Sequence, residues 1–231
     1  MSRLLLVAVL AVLAGASPGA AWDGCTPKAG DVRFPAADGT RLVGHAYGGG
    51  STAVVLVHQR DGTMCQWTSY AQRLAKLGYR AVTIDLRNYG DSQARNYPAN
   101  LRYGGDVVAA VKYVRARGAK KVFLLGASMG GSAAVDGAAN ARPAVNGVVS
   151  VSGAADLVDA IEAVKRVRVP SLFVAGGGDR DFATDAHRLY DASPAKDKKI
   201  DVVPGAYEHG TQLVASSARI RREIETFLRS H

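Results

Sequence analysis

The feature that most constrains this chain is a regular alternation of short apolar runs with longer helix-spaced stretches, sustained from residue 31 to the C-terminus. Asp31–Pro35 and Arg41–Tyr47 flank Ala37-Asp38-Gly39-Thr40, a turn signal that joins two antiparallel strands. After Gly48-Gly49-Gly50, residues 53–57 form a continuous apolar run of the kind buried on both faces. Trp67, Tyr70, Ala71, Leu74 and Leu77 then recur at helical spacing, and Gly78 ends that helix, 67–77. The pattern continues with strand 80–85, helix 101–117 N-capped near Asp106, strand 121–125, helix 130–141, strand 147–152 and helix 155–164. Strand 171–175, helix 184–192, strand 199–203 and one amphipathic closing helix, 212–229, complete it. Two antiparallel strands followed by six strand–helix units predict an α/β fold. Its sheet is eight-stranded and mostly parallel, with helices on both faces.

The first 21 residues do not follow this pattern. Met1-Ser2-Arg3 is a positive start, Leu4 to Leu13 is unbroken apolar sequence, and small residues with Pro18-Gly19 follow. This layout predicts a secretory signal peptide over 1–21, cut after Ala16 or Ala21, and a single domain over 22–231. The apolar run falls well short of the roughly 20 residues a membrane-spanning helix needs. At 48% hydrophobic and 21% charged residues the whole chain has the composition of a globular protein rather than a disordered one. Cys25 and Cys65 are the only cysteines. An oxidising compartment would let them pair; the alternative is two separate thiols. Neither they nor the five histidines form a metal-ligand cluster, so no metal and no cofactor is expected. The formal charge of +9 permits an anionic partner without requiring one. No nucleic acid, no stable membrane anchor and a monomeric state are the expectations.

In such a sheet, ligands sit outside the carboxyl ends of the strands, so the residues just after each strand carry the chemistry. Gly126-Ala127-Ser128-Met129-Gly130 is a G-x-S-x-G sequence in that position. By chance a chain of this composition gives roughly 0.2 matches, and Gly15-Ala16-Ser17-Pro18-Gly19 is another one, inside the leader. Ser128 differs from Ser17 in its context, after one strand and opening a helix. That turn is sharp enough to require glycine two residues before and after the serine. Ser128 as a plain helix N-cap would not require glycine on both sides.

Five marks together resemble the alpha/beta-hydrolase superfamily over nearly all of residue 31 to the C-terminus. They are Val57-His58, Asp85-Leu86-Arg87-Asn88-Tyr89-Gly90-Asp91-Ser92, Gly126 to Gly131, Gly176-x-x-Asp179 and His209-Gly210. Within it, the chain is most similar to small secreted bacterial esterases and dienelactone-hydrolase-like members. The resemblance implies a Ser–Asp–His order with Ser128 as nucleophile, His209 as its base and Asp179 as the acid that orients the imidazole. Asp181 and Asp156 are alternative acids. The oxyanion would be held by the Met129 N–H and by a second N–H from the His58-Gln59-Arg60 turn, either Arg60 or Gln59. Many relatives carry His-Gly where this chain has His58-Gln59. His58, Asp85 and Arg87 read as loop braces rather than reacting groups.

Trp67, Tyr89, Tyr97, Phe182 and Tyr207 fall near the site end of the sheet, and Trp67, Tyr89 and Tyr207 are the candidates for substrate contact. Fewer than twenty residues separate Ser152 from Ser171, too few for a lid domain. An uncapped site suits short or exposed carboxylic esters as small-molecule substrates. A serine peptidase or amidase on the same machinery is the alternative. So, from another class, is a non-catalytic secreted module that holds an anionic polymer on its basic surface.

Overall fold

The computed structural model describes residues 30–231. The predicted leader and Cys25 lie outside the described residues. Among the described residues, no helix is long and apolar enough to cross a membrane.

The eight strands are β1 (Asp31–Pro35), β2 (Arg41–Tyr47), β3 (Thr52–Val57), β4 (Arg80–Ile84), β5 (Lys121–Ala127), β6 (Gly147–Val151), β7 (Ser171–Gly176) and β8 (Lys198–Val203). They form one sheet in the order β1-β2-β4-β3-β5-β6-β7-β8. β1 with β2 and β2 with β4 pair antiparallel, and every later pair is parallel. The helices are α1 (Thr68–Lys76), α2 (Tyr103–Ala116), α3 (Met129–Asn140), α4 (Ala160–Val164), α5 (Arg180–Ala192), α6 (Thr211–Ser216) and α7 (Ala218–Ser230).

Alternation along the central strands explains why both faces are covered. Val55, Val57, Val122 and Leu124 point into a core shared with α2, α3, α4 and α5. Val54, Leu56, Phe123 and Leu125 point the other way, toward α1, α6 and α7. Strands apolar on both sides are stable only between two helical layers.

Three sequence expectations need correction. Asp106 does not cap α2. Arg102 occupies that position, and Asp106 lies fully buried inside the first turn, where it binds the guanidinium and the backbone N–H of Arg87. A buried arginine needs a buried counter-charge, and that demand outweighs capping. Residues 155–164 are not one helix, because the Ala155 N–H is donated to Asp185 and Val158 and Asp159 are left-handed before α4 starts. The closing helix is two helices. Ser217 breaks it with extended backbone and accepts the Ile220 N–H on its hydroxyl, an N-cap for α7.

Candidate active site

β5 ends at Ala127 and α3 begins at Met129, so Ser128 alone makes the turn between them. It does so at φ 50°, ψ −122°, a region that side-chain-bearing residues avoid. Its N–H still donates to the Val151 carbonyl at 2.8 Å, so the sheet ladder holds the strained residue in place. The flanking glycines are required by space. A Cβ at 126 would lie 2.0 Å from the Gly130 carbonyl oxygen, and one at 130 would lie 2.3 Å from that of Val57. The elbow therefore presses β5 and α3 against the end of β3, with the partial positive end of α3 at the serine.

Asp179 ends the turn after β7 and stands at the N-cap of α5. Its Oδ2 lies 2.7 Å from His209 Nδ1. Of the three carboxylates weighed from the sequence, it is the one bonded to the imidazole. Asp156 forms an exposed ion pair with Arg188, and Asp181 is exposed in the first turn of α5. Phe182, one turn along α5, packs its ring 4.2 Å from that of His209. The next residue, Gly210, donates its N–H to Ser152 Oγ at 3.1 Å. A Cβ at 210 would lie 3.3 Å from the Ala127 side chain, so the histidine turn rests directly on the serine elbow. Ser152 stands just after β6, one of the strand-end positions the sequence marks, but nothing in the sequence ties it to Gly210; in the structure its φ is 47°.

The turn after β3 is built around His58, which is fully buried. Its Nδ1–H donates to the Gln59 carbonyl at 2.7 Å and its Nε2 accepts the Leu86 N–H at 3.1 Å. Burial drives its pKa down from 6.5 to about 4, so the ring stays neutral and structural. The Gln59 N–H is donated to Gln66 Oε1 at 3.2 Å, which leaves Arg60 as the free candidate donor of this turn. Gln66 had no signal in the sequence. Asp85 braces the same loop, accepting the Met64 N–H at 2.7 Å and the Asp91 N–H at 3.1 Å. Burial pushes its pKa up to about 6 despite those bonds. Arg87 bridges Asp106 and Asp38 in the core.

The aromatic residues divide. Trp67 is 1% exposed and donates its Nε1–H to the Val57 carbonyl, so it supports the end of β3 and has no face left for a substrate. Tyr89 is half-buried, its hydroxyl 3.5 Å from the Sδ of Met129, the residue after Ser128, and its ring against His58. Tyr207 is 78% exposed and stands over Gly178, where a Cβ would meet its ring at 2.4 Å. A cavity of about 1040 Å³ opens between α2, α3 and α4, lined by Tyr103, Asp136 and Val158 among others. Ser128, Asp179 and His209 do not line it.

Strand order, elbow and the Asp–His pair after β7 and β8 are the arrangement of the alpha/beta-hydrolase fold. The chain has that fold. The family described as serine aminopeptidase, S33, matches residues 50–164. An uncharacterized protein of Mycobacterium tuberculosis is 27% identical over 214 residues, covering 81% of this chain and 75% of its own. Epoxide hydrolase 3 of Siraitia grosvenorii is 34% identical over 85 residues, covering 36% and 26%. Among solved structures, the Pyrococcus furiosus esterase superposes with a TM-score of 0.70 at 18% identity, over 87% of this chain and 91% of that one. Est1E of Butyrivibrio proteoclasticus, solved with ferulic acid, gives 0.71 at 15% over 87% and 100%. The Thermogutta terrifontis esterase gives 0.71 at 16% over 87% and 99%.

Proposed function

We propose that this alpha/beta hydrolase is a secreted serine esterase that cleaves short or exposed carboxylic esters through an acyl-enzyme. The observation that carries the reading is the 2.7 Å pair between Asp179 and His209, on a turn that rests against the Ser128 elbow. A serine hydroxyl attacks a carbonyl only if a base takes its proton. The Nε2 of His209 is the nitrogen free for that, because Nδ1 faces Asp179. Ser128 Oγ bonds to the carbonyl carbon as its proton passes to His209. The carbonyl oxygen becomes an oxyanion held by the N–H groups of Met129 and Arg60. Collapse of the tetrahedral species expels the alcohol, which leaves with the proton from His209. Water then enters by the same steps in reverse order, and the carboxylic acid departs. Asp179 keeps the imidazole in the reactive tautomer and stabilises its charge throughout.

The connection from β6 to β7 holds one short helix and no lid domain, which supports small or exposed substrates over long buried chains. Epoxide chemistry, suggested by the shorter plant match, is disfavoured because such relatives carry aspartate where this chain has Ser128. The aminopeptidase family match supports the second reading, amide cleavage by the same groups. The mature chain is expected to turn over p-nitrophenyl acetate, and Ser128→Ala to lose at least about 10³-fold in kcat. Rates on an ester and an amide of the same acid then choose between the readings. Turnover unchanged in Ser128→Ala would overturn both.

A further inference from the structure

We propose that Gln59 is a positioning residue that locks the oxyanion turn to the histidine turn, so that donor and base are held as one unit. The inference rests on the hydrolase reading above and adds a part to it. His58 fixes the Gln59 carbonyl from below, and Gln66 holds the Gln59 N–H. The side chain is then free to reach across the site. Its Oε1 accepts two hydrogen bonds from Thr211, the N–H at 3.0 Å and the hydroxyl at 3.1 Å, across 152 positions of sequence.

Those bonds answer a need of the histidine turn. α6 starts at Thr211, and the first N–H groups of a helix have no partner within it. The residue at its N-cap is Gly210, which has no side chain to offer. Gln59 supplies the missing acceptor from the opposite loop. Contact is direct, since a Cβ on Gly210 would lie 2.5 Å from Gln59 Oε1, and Gly210 takes the left-handed φ of 56°. On its other side the Gly210 N–H is held by Ser152. The residue next to His209 is thus gripped from two strand ends at once. A glycine at 59 would leave α6 uncapped and would separate the two turns. Displacing catalytic groups by about 1 Å costs about 10²-fold in rate, while ground-state binding of a small ester hardly depends on it.

The test is steady-state kinetics with a pH profile on Gln59→Ala and Gln59→Glu, alongside fluorophosphonate labelling of the wild type. Gln59→Ala is expected to lower kcat by about 10- to 100-fold with KM within about 3-fold of wild type. Gln59→Glu keeps an acceptor for Thr211 and is expected to recover kcat to within about 3-fold of wild type. Its added negative charge near His209 shifts the acid limb of kcat/KM to higher pH. Thr211→Val, which removes only the hydroxyl donor, gives a smaller loss and covers the case in which Gln59→Ala fails to fold. A merely structural strap would change the melting temperature and leave kcat where it was; that result overturns the proposal. If the wild type fails to label, the hydrolase reading falls and this one with it. If it labels and the Gln59 and Thr211 variants keep full kcat, only the present proposal falls.

Discussion

At the scale of single residues, the site is a set of strained or crowded positions that the neighbouring chain holds in place. Ser128 sits at φ 50°, and backbone of this kind costs about 1–3 kcal/mol. Glycine tolerates it. Ser128→Gly should therefore unfold at higher urea than Ser128→Ala, by about 1 kcal/mol, although both abolish turnover. Equal midpoints would mean that the elbow stores no strain. The elbow was legible in the sequence because its demand for glycine at 126 and 130 is steric and local. Asp179 could not be separated there from Asp156 and Asp181, since which carboxylate reaches His209 depends on where β7 meets α5. Trp67 falls near the site end of the sheet, which suggests substrate contact, yet its apolar helical spacing is the truer signal: the indole is only 1% exposed.

At the scale of elements, strand positions followed from apolar runs to within two residues, while helix ends depended on tertiary contacts. Asp106 was drawn inward by Arg87, and Ser217 divided the last helix. The turn after β3 has a pH signature of its own. An unfolded histidine titrates near 6.5, whereas His58 in the fold resists protonation down to about 4. As pH falls through that window the unfolded chain gains a proton that the folded chain refuses, so about 3 kcal/mol of stability is lost. Asp85 works in the opposite sense, because its folded pKa of about 6 lies above the unfolded value. Its ionisation penalty is relieved as pH falls from about 6 toward 3.8. His58→Asn removes the first effect only. It should be about 2 kcal/mol less stable than wild type at pH 7, and the gap should close by pH 4. Urea unfolding at both pH values checks this; a gap independent of pH contradicts it.

At the scale of the whole molecule, the eight strands, their mostly parallel sense and the helical layers on both faces were legible because an alternation of this length leaves few other topologies; the strand order was not read from the sequence. The links between distant loops were not legible. Gln59 with Thr211 and Ser152 with Gly210 are contacts made only once the sheet has brought its rim together. Export through the leader and pairing of Cys25 with Cys65 remain our proposals for the mature chain. If the pair forms, reduction should lower unfolding stability by roughly 4 kcal/mol, and alkylation under native conditions should leave both thiols unmodified. Two alkylated cysteines without reductant would refute it. The central claim is that folding turns Ser128 into an activated nucleophile. The most direct measurement is a fluorophosphonate reaction with the mature protein, followed by mass mapping of the adduct. We predict one adduct, on Ser128, at a rate that collapses in His209→Ala. No adduct, an adduct on another residue, or a rate indifferent to His209 would contradict the account.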